Sequence, residues 1–382
     1  MSRINVVRIC DKFGMRGSTT HGAAKGFAYQ LPVFDPARFK VTLYALKKPD
    51  PASRALEAMG VELKYLNHSK VSPAILAGFL RALREEQADI LHVHGWTSGN
   101  FGRLAGRIAG VPTIMHEHGS DPKIPRCQVV TDRFLSRFTD CAVAVSESVA
   151  RYLVERRFVR PEVVRVIRSG VPLDKFIRAA SEDVASEKQR LGIPVGSPVV
   201  GMIGRLDVEK GITYFLQAAK KVLSRAPDAY FLIVGDGPKR DELEAESRSL
   251  GIADRVIFTG YRSDIALVMS MLAAQVFASL REGTPHTLYE AMAVGQAIVS
   301  TPVDGLGEVL KDGYTAVFVE PGNADQLASG ILRLLSDREL ADRLARNTEE
   351  ESRKYDVRAT VSSLGSLYEE LYAARYGKPQ HT

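Results

Sequence analysis

The chain of 382 residues is long enough to bury two hydrophobic cores, and its 45% hydrophobic and 25% charged residues are typical of a soluble globular protein. No run approaches the roughly 18 consecutive apolar residues that a transmembrane helix needs. The first residues, MSRINVVRIC, are too charged for a secretory signal, and Cys10, Cys127 and Cys141 lack metal-ligand spacing, so we expect a protein of the reducing cytoplasm.

Positive charge is concentrated in one half of the chain. Residues 1–170 hold 26 Lys and Arg against 15 Asp and Glu, whereas residues 171–382 hold 25 against 30. This asymmetry indicates an anionic partner, such as the inner face of a membrane, and a solvated basic face is the alternative. Nucleic acid is not expected as a partner, because the arginine-rich segment 151–168 has no aromatic platform or known reader motif.

Short strand patterns alternate with helical patterns along the chain. In the first half, the expected strands are 4–10, 40–46, 61–66, 90–94, 112–116, 141–145 and 163–167. A polar stretch at 177–197 is expected to connect two domains, and a second alternating set begins at Pro198. This order predicts an α/β fold in which parallel sheets carry helices on both faces.

Two early segments have alternative interpretations. The loop after the first strand, DKFGMRGSTTHG, contains Gly14 and Gly17, which allow a ligand to approach the backbone; a plain strand–turn–helix corner explains it equally well. The loop lacks the G-x-G-x-x-G pattern of dinucleotide-binding proteins. The helical segment 72–86 has an apolar side with Phe79 and Leu83, which we expect to pack on a sheet rather than on a membrane.

Histidines follow two neighbouring strands, in LHVHG and MHEHG. Alternation along a strand sends His92 and His94 to one side, and likewise His116 and His118. A His-x-His pair beside an acid can bind zinc, but a neutral imidazole that bonds a hydroxyl is the interpretation we favour. We therefore expect no metal here.

The second half contains two cations placed to bind phosphate. Arg205 follows Gly204 at the end of a buried strand, and Lys210 comes five residues later, before an amphipathic helix. At the carboxyl end of a parallel strand, two cations are placed to neutralise a diphosphate. The segment is not a P-loop, because it has no Gly-Lys-Ser/Thr.

The stretch ASLREGTPHTLYEAMAVGQAIVST, residues 278–301, predicts a strand end, a loop and then a helix that ends near Gly295. The first N–H groups of such a helix are free to bind an anion. Glu282 and Glu290 flank the loop, and carboxylates beside phosphate-binding amides make sense where the ligand also carries hydroxyls, as a sugar does. Solvated surface glutamates are the alternative.

This stretch resembles the donor-site motif of the retaining GT-B glycosyltransferases of family 4, Glu-Gly-x-Pro-x-x-x-x-Glu-Ala-x-Ala. The matching residues are Glu282, Gly283, Pro285, Glu290, Ala291 and Ala293. The resemblance implies two Rossmann-like, doubly wound domains that face each other across a cleft. We place an acceptor domain at 1–175 and a donor domain at 176–358, with the last helix, within 359–382, crossing back to the first domain.

The same resemblance implies roles for individual residues. Those expected to take part in catalysis are His118, Arg205, Lys210 and Glu282. His116 is the alternative to His118 as the histidine that matches the family motif. Those expected to bind the donor are Gly14, Gly17, Gly237, Arg262, Gly283, Thr284, Pro285, His286, Thr287, Leu288 and Glu290. The chain departs from the family pattern at Asp304, where a glycine is usual. This position is not one of the two cations, Arg205 and Lys210, that we expect to bind the diphosphate.

The predicted function is transfer of a sugar from a UDP- or GDP-sugar to an acceptor hydroxyl with retention of configuration, as in a hexosyltransferase. The acceptor is a glycan, a lipid-linked precursor or a small molecule. No Asp-x-Asp occurs in the sequence, so we expect neither a metal nor any other cofactor. The alternatives are a sugar-nucleotide 2-epimerase of the same architecture and a non-catalytic binder of nucleotide sugars.

Overall fold

The structure, a computed structural model, describes residues 3–14, 22–68, 72–121 and 123–377. Gly17, one of the predicted site residues, lies outside this part of the chain. Of the described residues, those up to Gly170 and those from Val357 onward form one compact unit, and Val171–Asp356 form the other. None of the helices within these ranges is both long enough and apolar enough to cross a membrane.

The first unit contains a parallel sheet of seven strands. They are β1 (Ile4–Cys10), β2 (Phe39–Ala45), β3 (Leu63–Tyr65), β4 (Ile90–His94), β5 (Thr113–Glu117), β6 (Cys141–Ala144) and β7 (Val164–Val166). Their order across the sheet is β3-β2-β1-β4-β5-β6-β7, and each neighbouring pair is parallel. The order reverses between β1 and β4, which makes the carboxyl ends of these two strands the switch point of the sheet.

Helices connect these strands, as the alternating pattern predicts. They are α1 (Gly22–Gln30), α2 (Pro51–Ala58), α3 (Ala74–Glu85), α4 (Trp96–Ala109), α5 (Arg126–Leu135) and α6 (Glu147–Arg157). The apolar side of α3 lies in the core, where Phe79 and Leu83 are buried against Leu91 and Val93 of β4. The expectation that this segment packs on a sheet is therefore confirmed.

The C-terminal helix, Val357–Tyr376, belongs to the first unit. Its residues Leu364 and Tyr368 are buried in one cluster with Ile4 and Val6 of β1 and Ile90 of β4. Residues far apart in sequence thus complete one hydrophobic core, and burial of this apolar area is what holds the helix on the sheet.

The second unit contains a parallel sheet of six strands. They are β8 (Val199–Ile203), β9 (Tyr230–Val234), β10 (Val256–Gly260), β11 (Ala274–Phe277), β12 (Ile298–Ser300) and β13 (Val317–Phe318). The order is β10-β9-β8-β11-β12-β13, so its switch point lies between β8 and β11. Every residue of β8 and β11 is buried, as expected of central parallel strands covered on both faces.

The helices of this unit are α7 (Ser181–Arg190), α8 (Ile212–Leu223), α9 (Arg240–Ser249), α10 (Ile265–Ser270), α11 (His286–Ala293), α12 (Asp304–Val309), α13 (Ala324–Ser336) and α14 (Arg338–Ser352). Short 3-10 helices include Leu173–Lys175 and Val208–Lys210. The polar stretch 177–197, expected to connect two domains, belongs to the second unit. It contains α7, and its contacts reach the rest of that unit: the Arg262 guanidinium donates to Oε1 of Glu187 at 2.6 Å, and the N–H of Ala179 donates to Oγ of Ser270 at 2.8 Å.

Candidate functional site

The loops that follow β8 and β11 meet at the switch point of the second unit. Arg205 comes two residues after β8, and Lys210 ends the 3-10 helix Val208–Lys210. Glu282 lies in the loop after β11. The N–H of Leu280 donates to the carbonyl of Glu209 at 2.8 Å, so the backbones of the two loops are bonded to each other.

An ion pair joins these loops through their side chains. The Lys210 ammonium donates to Oε2 of Glu282, and the hydroxyl of Ser279 lies 3.3 Å from the same oxygen. The two charged side chains are 18% and 16% exposed, so both are partly shielded from water yet open to a ligand. Arg205 forms a similar ion pair with Asp207. Both predicted cations therefore lie at the switch point, and each has a carboxylate beside it.

Asp304, which follows β12, supports the Glu282 loop. It begins α12, adopts a φ of +42° that non-glycine residues rarely adopt, and accepts the N–H of Glu282 on Oδ2 at 3.0 Å. Next to it, a Cβ on Gly305 would lie 1.8 Å from the carbonyl oxygen of Gly283. The two backbones touch, so the conformation of residues 282–284 depends on α12. Sequence reasoning passed over this role, and its one signal was the aspartate in a glycine's place.

Helix α11 begins directly after Pro285 and carries the predicted residues 286–288 in its first turn. His286 is buried, and Leu288 and Glu290 are fully buried. The prediction of a helix that ends near Gly295 is confirmed, because the N–H of Val294 donates to the carbonyl of Glu290 and the helix stops there. The full burial of Glu290 shows that it is not a solvated surface glutamate.

Gly237 and Arg262 follow β9 and β10, the strands on the opposite side of β8 from β11. Gly237 follows β9, and its N–H donates to the Asp236 carboxylate at 2.8 Å. The Arg262 guanidinium donates to Oδ1 of Asp264 at 2.7 Å and to Oε1 of Glu187 at 2.6 Å. The hydrogen bonds to these carboxylates, led by those to Asp264, raise the pKa of Arg262. The side chain is thus bonded to two carboxylates of its own unit, which leaves the backbone of Arg262 for the donor contact that the resemblance implies.

The equivalent switch point of the first unit is arranged differently. The Asp11 carboxylate, just after β1, accepts the N–H groups of Thr97 at 2.9 Å and Ser98 at 2.6 Å, at the start of α4. Gly95 has a φ of +101°, and a Cβ there would lie 2.6 Å from Asp11 Oδ2. Gly14 follows in the same loop. The helix-terminal amides that could bind an anion are therefore occupied by a side chain that sequence reasoning did not single out.

Four histidines stack beside this switch point. The rings of His116 and His118 are 4.4 Å apart and nearly parallel, and those of His92 and His116 are 5.2 Å apart. His92 Nε2 lies 3.1 Å from His116 Nδ1, and His94 Nδ1 lies 3.0 Å from His118 Nε2. The prediction that each His-x-His pair points to one side is confirmed. His116 is buried and His118 only half-buried, so His118 is the more accessible of the two rivals.

Arg8 and Tyr368 fix the direction of hydrogen bonding in this stack. The fully buried Arg8 donates from Nε (3.0 Å) and Nη2 (2.6 Å) to the hydroxyl of Tyr368. Because arginine only donates, the tyrosine proton goes to His92 Nδ1, 2.8 Å away. His92 therefore carries its proton on Nε2 and donates to His116, whose own proton is then on Nε2 as well.

Burial lowers the pKa values of His92, His94 and His116 well below their ordinary range, and the Arg8 charge lowers them further. These rings are neutral. One nitrogen from each lies within 4.8 Å of the others, which is the spacing of a metal-binding cluster. However, the rings are stacked at interplanar angles of 10° to 32° and do not direct their nitrogens to one point. His92 is also bonded through both nitrogens, and the Arg8 cation is close enough to lower its pKa. The geometry favours a hydrogen-bonded stack.

The fold and sequence have known counterparts. The crystal structure of HepE from Anabaena in complex with UDP and glucose matches with a TM-score of 0.86 at 20% identity, and the match covers 96% of this chain and 100% of that chain. Two doubly wound units of this kind define the GT-B fold.

Two family models match the sequence: glycosyl transferases group 1 over residues 183–351 and glycosyltransferase family 4 over residues 22–175. The chain is 30% identical over 308 residues to an alpha-D-kanosaminyltransferase of Streptomyces kanamyceticus, covering 76% of this chain and 80% of that one. It is 29% identical over 275 residues to the UDP-Gal:alpha-D-GlcNAc-diphosphoundecaprenol alpha-1,3-galactosyltransferase of Escherichia coli, covering 69% and 71%. The chain belongs to glycosyltransferase family 4.

The contact between Gly305 and Gly283 yields a stability prediction. Replacing Gly305 by Ala places a methyl group on the Gly283 carbonyl, so we expect a loss of about 1–3 kcal/mol in the free energy of unfolding, measured by urea denaturation. The matched control is Gly196→Ala, where the new methyl group meets nothing within 4 Å. Equal stability of the two variants would contradict the described packing.

The histidine stack predicts sensitivity to acid. The folded-state pKa values of His92, His94 and His116 are lowered, so below pH ~6.5 the unfolded chain binds protons that the folded chain does not. The free energy of unfolding therefore has its full value above that pH. Below it, the free energy of unfolding falls by up to about 1.4 kcal/mol per pH unit for each histidine. Thermal melts between pH 7 and 5 measure this, and His94→Gln should reduce the slope. A flat profile would show that the rings are not buried and neutral.

Proposed function

We propose that this glycosyltransferase transfers a hexosyl group from a UDP-sugar, with a GDP-sugar as the second choice, and retains the anomeric configuration. The observation that carries the proposal is the meeting of Arg205, Lys210 and Glu282 with the start of α11 at the switch point of the second unit. This position in an open parallel sheet is where ligands bind. A HepE structure is described as a complex with UDP-glucose, which supports the choice of nucleotide.

The cations at this point are placed to act on the leaving group. Departure of a nucleoside diphosphate builds negative charge on its β-phosphate, and preorganised cations and backbone N–H groups stabilise that charge. We assign Arg205, Lys210 and the amides of residues 283–288 to this task. They can do what Mg²⁺ does elsewhere, and the sequence has no Asp-x-Asp, so we propose a reaction that needs no metal and no other cofactor.

The two glutamates have different surroundings and therefore different proposed roles. Glu282 is partly exposed and already bonded to Lys210, so it is placed to accept hydroxyls of the donor sugar while the ammonium turns to phosphate. Glu290 is fully buried in α11, and we assign it to the ribose hydroxyls. The backbone near Gly237 and Arg262 is assigned to the nucleotide. Neither glutamate acts as a nucleophile in this proposal, because the acceptor hydroxyl attacks the anomeric carbon from the face that the phosphate leaves, which retains the configuration. The departing phosphate takes the acceptor's proton, so no general base is needed.

We assign the acceptor to the domain formed by residues 1–175 with the last helix, and the donor to residues 176–358. His118, the more accessible end of the histidine stack, is proposed to bond a hydroxyl of the donor sugar, and Gly14 and Gly17 are assigned to donor binding as well. The names of relatives include two kinds of acceptor, a GlcNAc-diphosphoundecaprenol and the aminocyclitol 2-deoxystreptamine. We favour a lipid-linked precursor in envelope glycan synthesis, reached from the cytoplasmic side at the membrane surface, because the first half of the chain is basic.

The test begins with a thermal-shift panel of UDP-, GDP- and ADP-sugars. The bound nucleotide should raise the melting temperature, since ligand at 100 times its dissociation constant adds about 2.7 kcal/mol of stability. Release of UDP is then measured with and without acceptors of the lipid-diphosphate and aminocyclitol types, and the anomeric configuration of the product is read by proton NMR. Acceptor-dependent release is expected. Epimerisation without an acceptor, or binding without turnover, would contradict the proposal.

Lys210→Ala tests the phosphate assignment. Removing the ammonium should lower kcat by roughly 10²–10³-fold, the usual cost of losing one preorganised charge donor, while the melting temperature changes little. The matched control is Lys221→Ala, on α8 of the same unit, where the ammonium pairs with the exposed Asp325. Near-normal kinetics of Lys210→Ala under saturating donor would remove Lys210 from the mechanism.

A further inference from the structure

Helix α5, Arg126–Leu135, buries two polar side chains and exposes two large apolar ones. Its buried residues are Gln128, Asp132 and Leu135, whereas Val130 and Phe134 are 70% and 52% exposed. Buried charge and exposed large apolar side chains are the two observations that ordinary globular packing does not explain. Both occur here on one helix of ten residues.

The inner side of α5 is held by ionic contacts. Asp132 is fully buried, and it accepts hydrogen bonds from Arg103 Nη2 at 2.7 Å and from Arg157 Nε at 2.6 Å. Gln128 adds a hydrogen bond to Asp132 Oδ2 at 3.0 Å. A buried carboxylate between two guanidinium groups is fixed in position, because removing any partner leaves an uncompensated charge. These polar contacts and the buried Leu135 anchor the helix, while Val130 and Phe134 face outward.

The outer side combines apolar and basic residues in one row. We call Arg126, Val130, Arg133, Phe134 and Arg137 the α5 stripe. Their spacing of four, three, one and three residues places them on one face of the helix and its continuation. The Arg137 guanidinium lies 4.5 Å from the centre of the Phe134 ring. Each residue of the stripe is exposed.

The arginines of the stripe have no acidic partners close by. Within the described part of the chain, none of Arg126, Arg133 and Arg137 has a carboxylate at salt-bridge distance. By contrast, the buried Arg103 and Arg157 are both paired with Asp132. The stripe therefore offers uncompensated positive charge beside apolar side chains, in a half of the chain that already holds 26 basic against 15 acidic residues.

We propose that the α5 stripe docks on the anionic leaflet of a membrane, with Phe134 and Val130 entering the headgroup region and the arginines bound to lipid phosphates. Apolar residues flanked by arginines match the chemistry of such an interface. A second copy of this chain is a poor occupant, because it would bring six arginines together. This inference deepens the proposed function and rests on it to the extent that the acceptor is lipid-linked.

Vesicle co-sedimentation tests the surface directly. The full chain is mixed with vesicles of phosphatidylcholine alone or of phosphatidylcholine with phosphatidylglycerol, at low and high salt. We expect binding to the anionic vesicles that weakens with salt. Val130→Ser with Phe134→Ser should lower the partition coefficient at least roughly tenfold. The matched control, Ile177→Ser with Val195→Ser, changes two exposed apolar residues of the second unit and should not alter binding.

A second pair of variants tests the charges. Arg126, Arg133 and Arg137 changed together to Gln should remove the salt-sensitive part of binding. The control changes the exposed Arg338, Arg343 and Arg346 of α14 to Gln and keeps the same net charge as the test variant. The proposal is overturned if the wild-type chain ignores anionic vesicles, or if both stripe variants bind like their controls. The proposal is also overturned if the stripe variants abolish self-association of the chain, measured by sedimentation without vesicles, but bind vesicles as well as the wild-type chain does.

The outcome is separable from that of the proposed function. The stripe variants should keep the thermal shift with UDP-sugars and their turnover of a water-soluble acceptor. Loss of vesicle binding with unchanged nucleotide binding supports the surface alone. If the wild-type chain binds anionic vesicles but no sugar nucleotide, the proposed function fails and the docking surface stands.

Discussion

The ion pair between Lys210 and Glu282 is the interaction on which the candidate site depends. It joins the loops after β8 and β11, the two central strands where the order of the sheet reverses, and a backbone hydrogen bond from Leu280 to Glu209 reinforces it. Asp304 and Gly305, at the start of the helix that follows β12, then fix the conformation of the Glu282 loop. Residues from distant parts of the sequence are thus held at one point before any ligand arrives, which is the preorganisation that charge stabilisation requires.

Much of this arrangement could be predicted from the sequence. Continuous apolar runs separated by glycine-bearing loops indicate parallel strands, and polar residues after such runs must meet at one edge of the sheet, as Arg205 and Glu282 do. The end of α11 near Gly295 follows from helix chemistry. Local pattern is sufficient here because each feature depends on residues close together in the chain.

The features that sequence reasoning missed all depend on contacts between distant residues. Asp11 bonds to the start of α4 across 86 residues, and Arg8 reaches Tyr368 across 360. Asp132 looks like an ordinary surface acid of an amphipathic helix, and only the tertiary structure shows two guanidinium groups around it. For the same reason, composition did not show that residues 177–197 belong to the second unit, where Glu187 bonds to Arg262 across 75 residues and Ala179 bonds to Ser270 across 91.

The aspartate at the start of α4 has a further consequence. The two sheets have the same parallel topology around their switch points, yet in the first unit Asp11 both occupies the amides of Thr97 and Ser98 and adds a negative charge. A phosphate approaching that end meets repulsion, whereas at Lys210 and Arg205 it meets attraction. One carboxylate thereby makes the two switch points electrically unlike, so that of the two only the one in the second unit is suited to an anionic group.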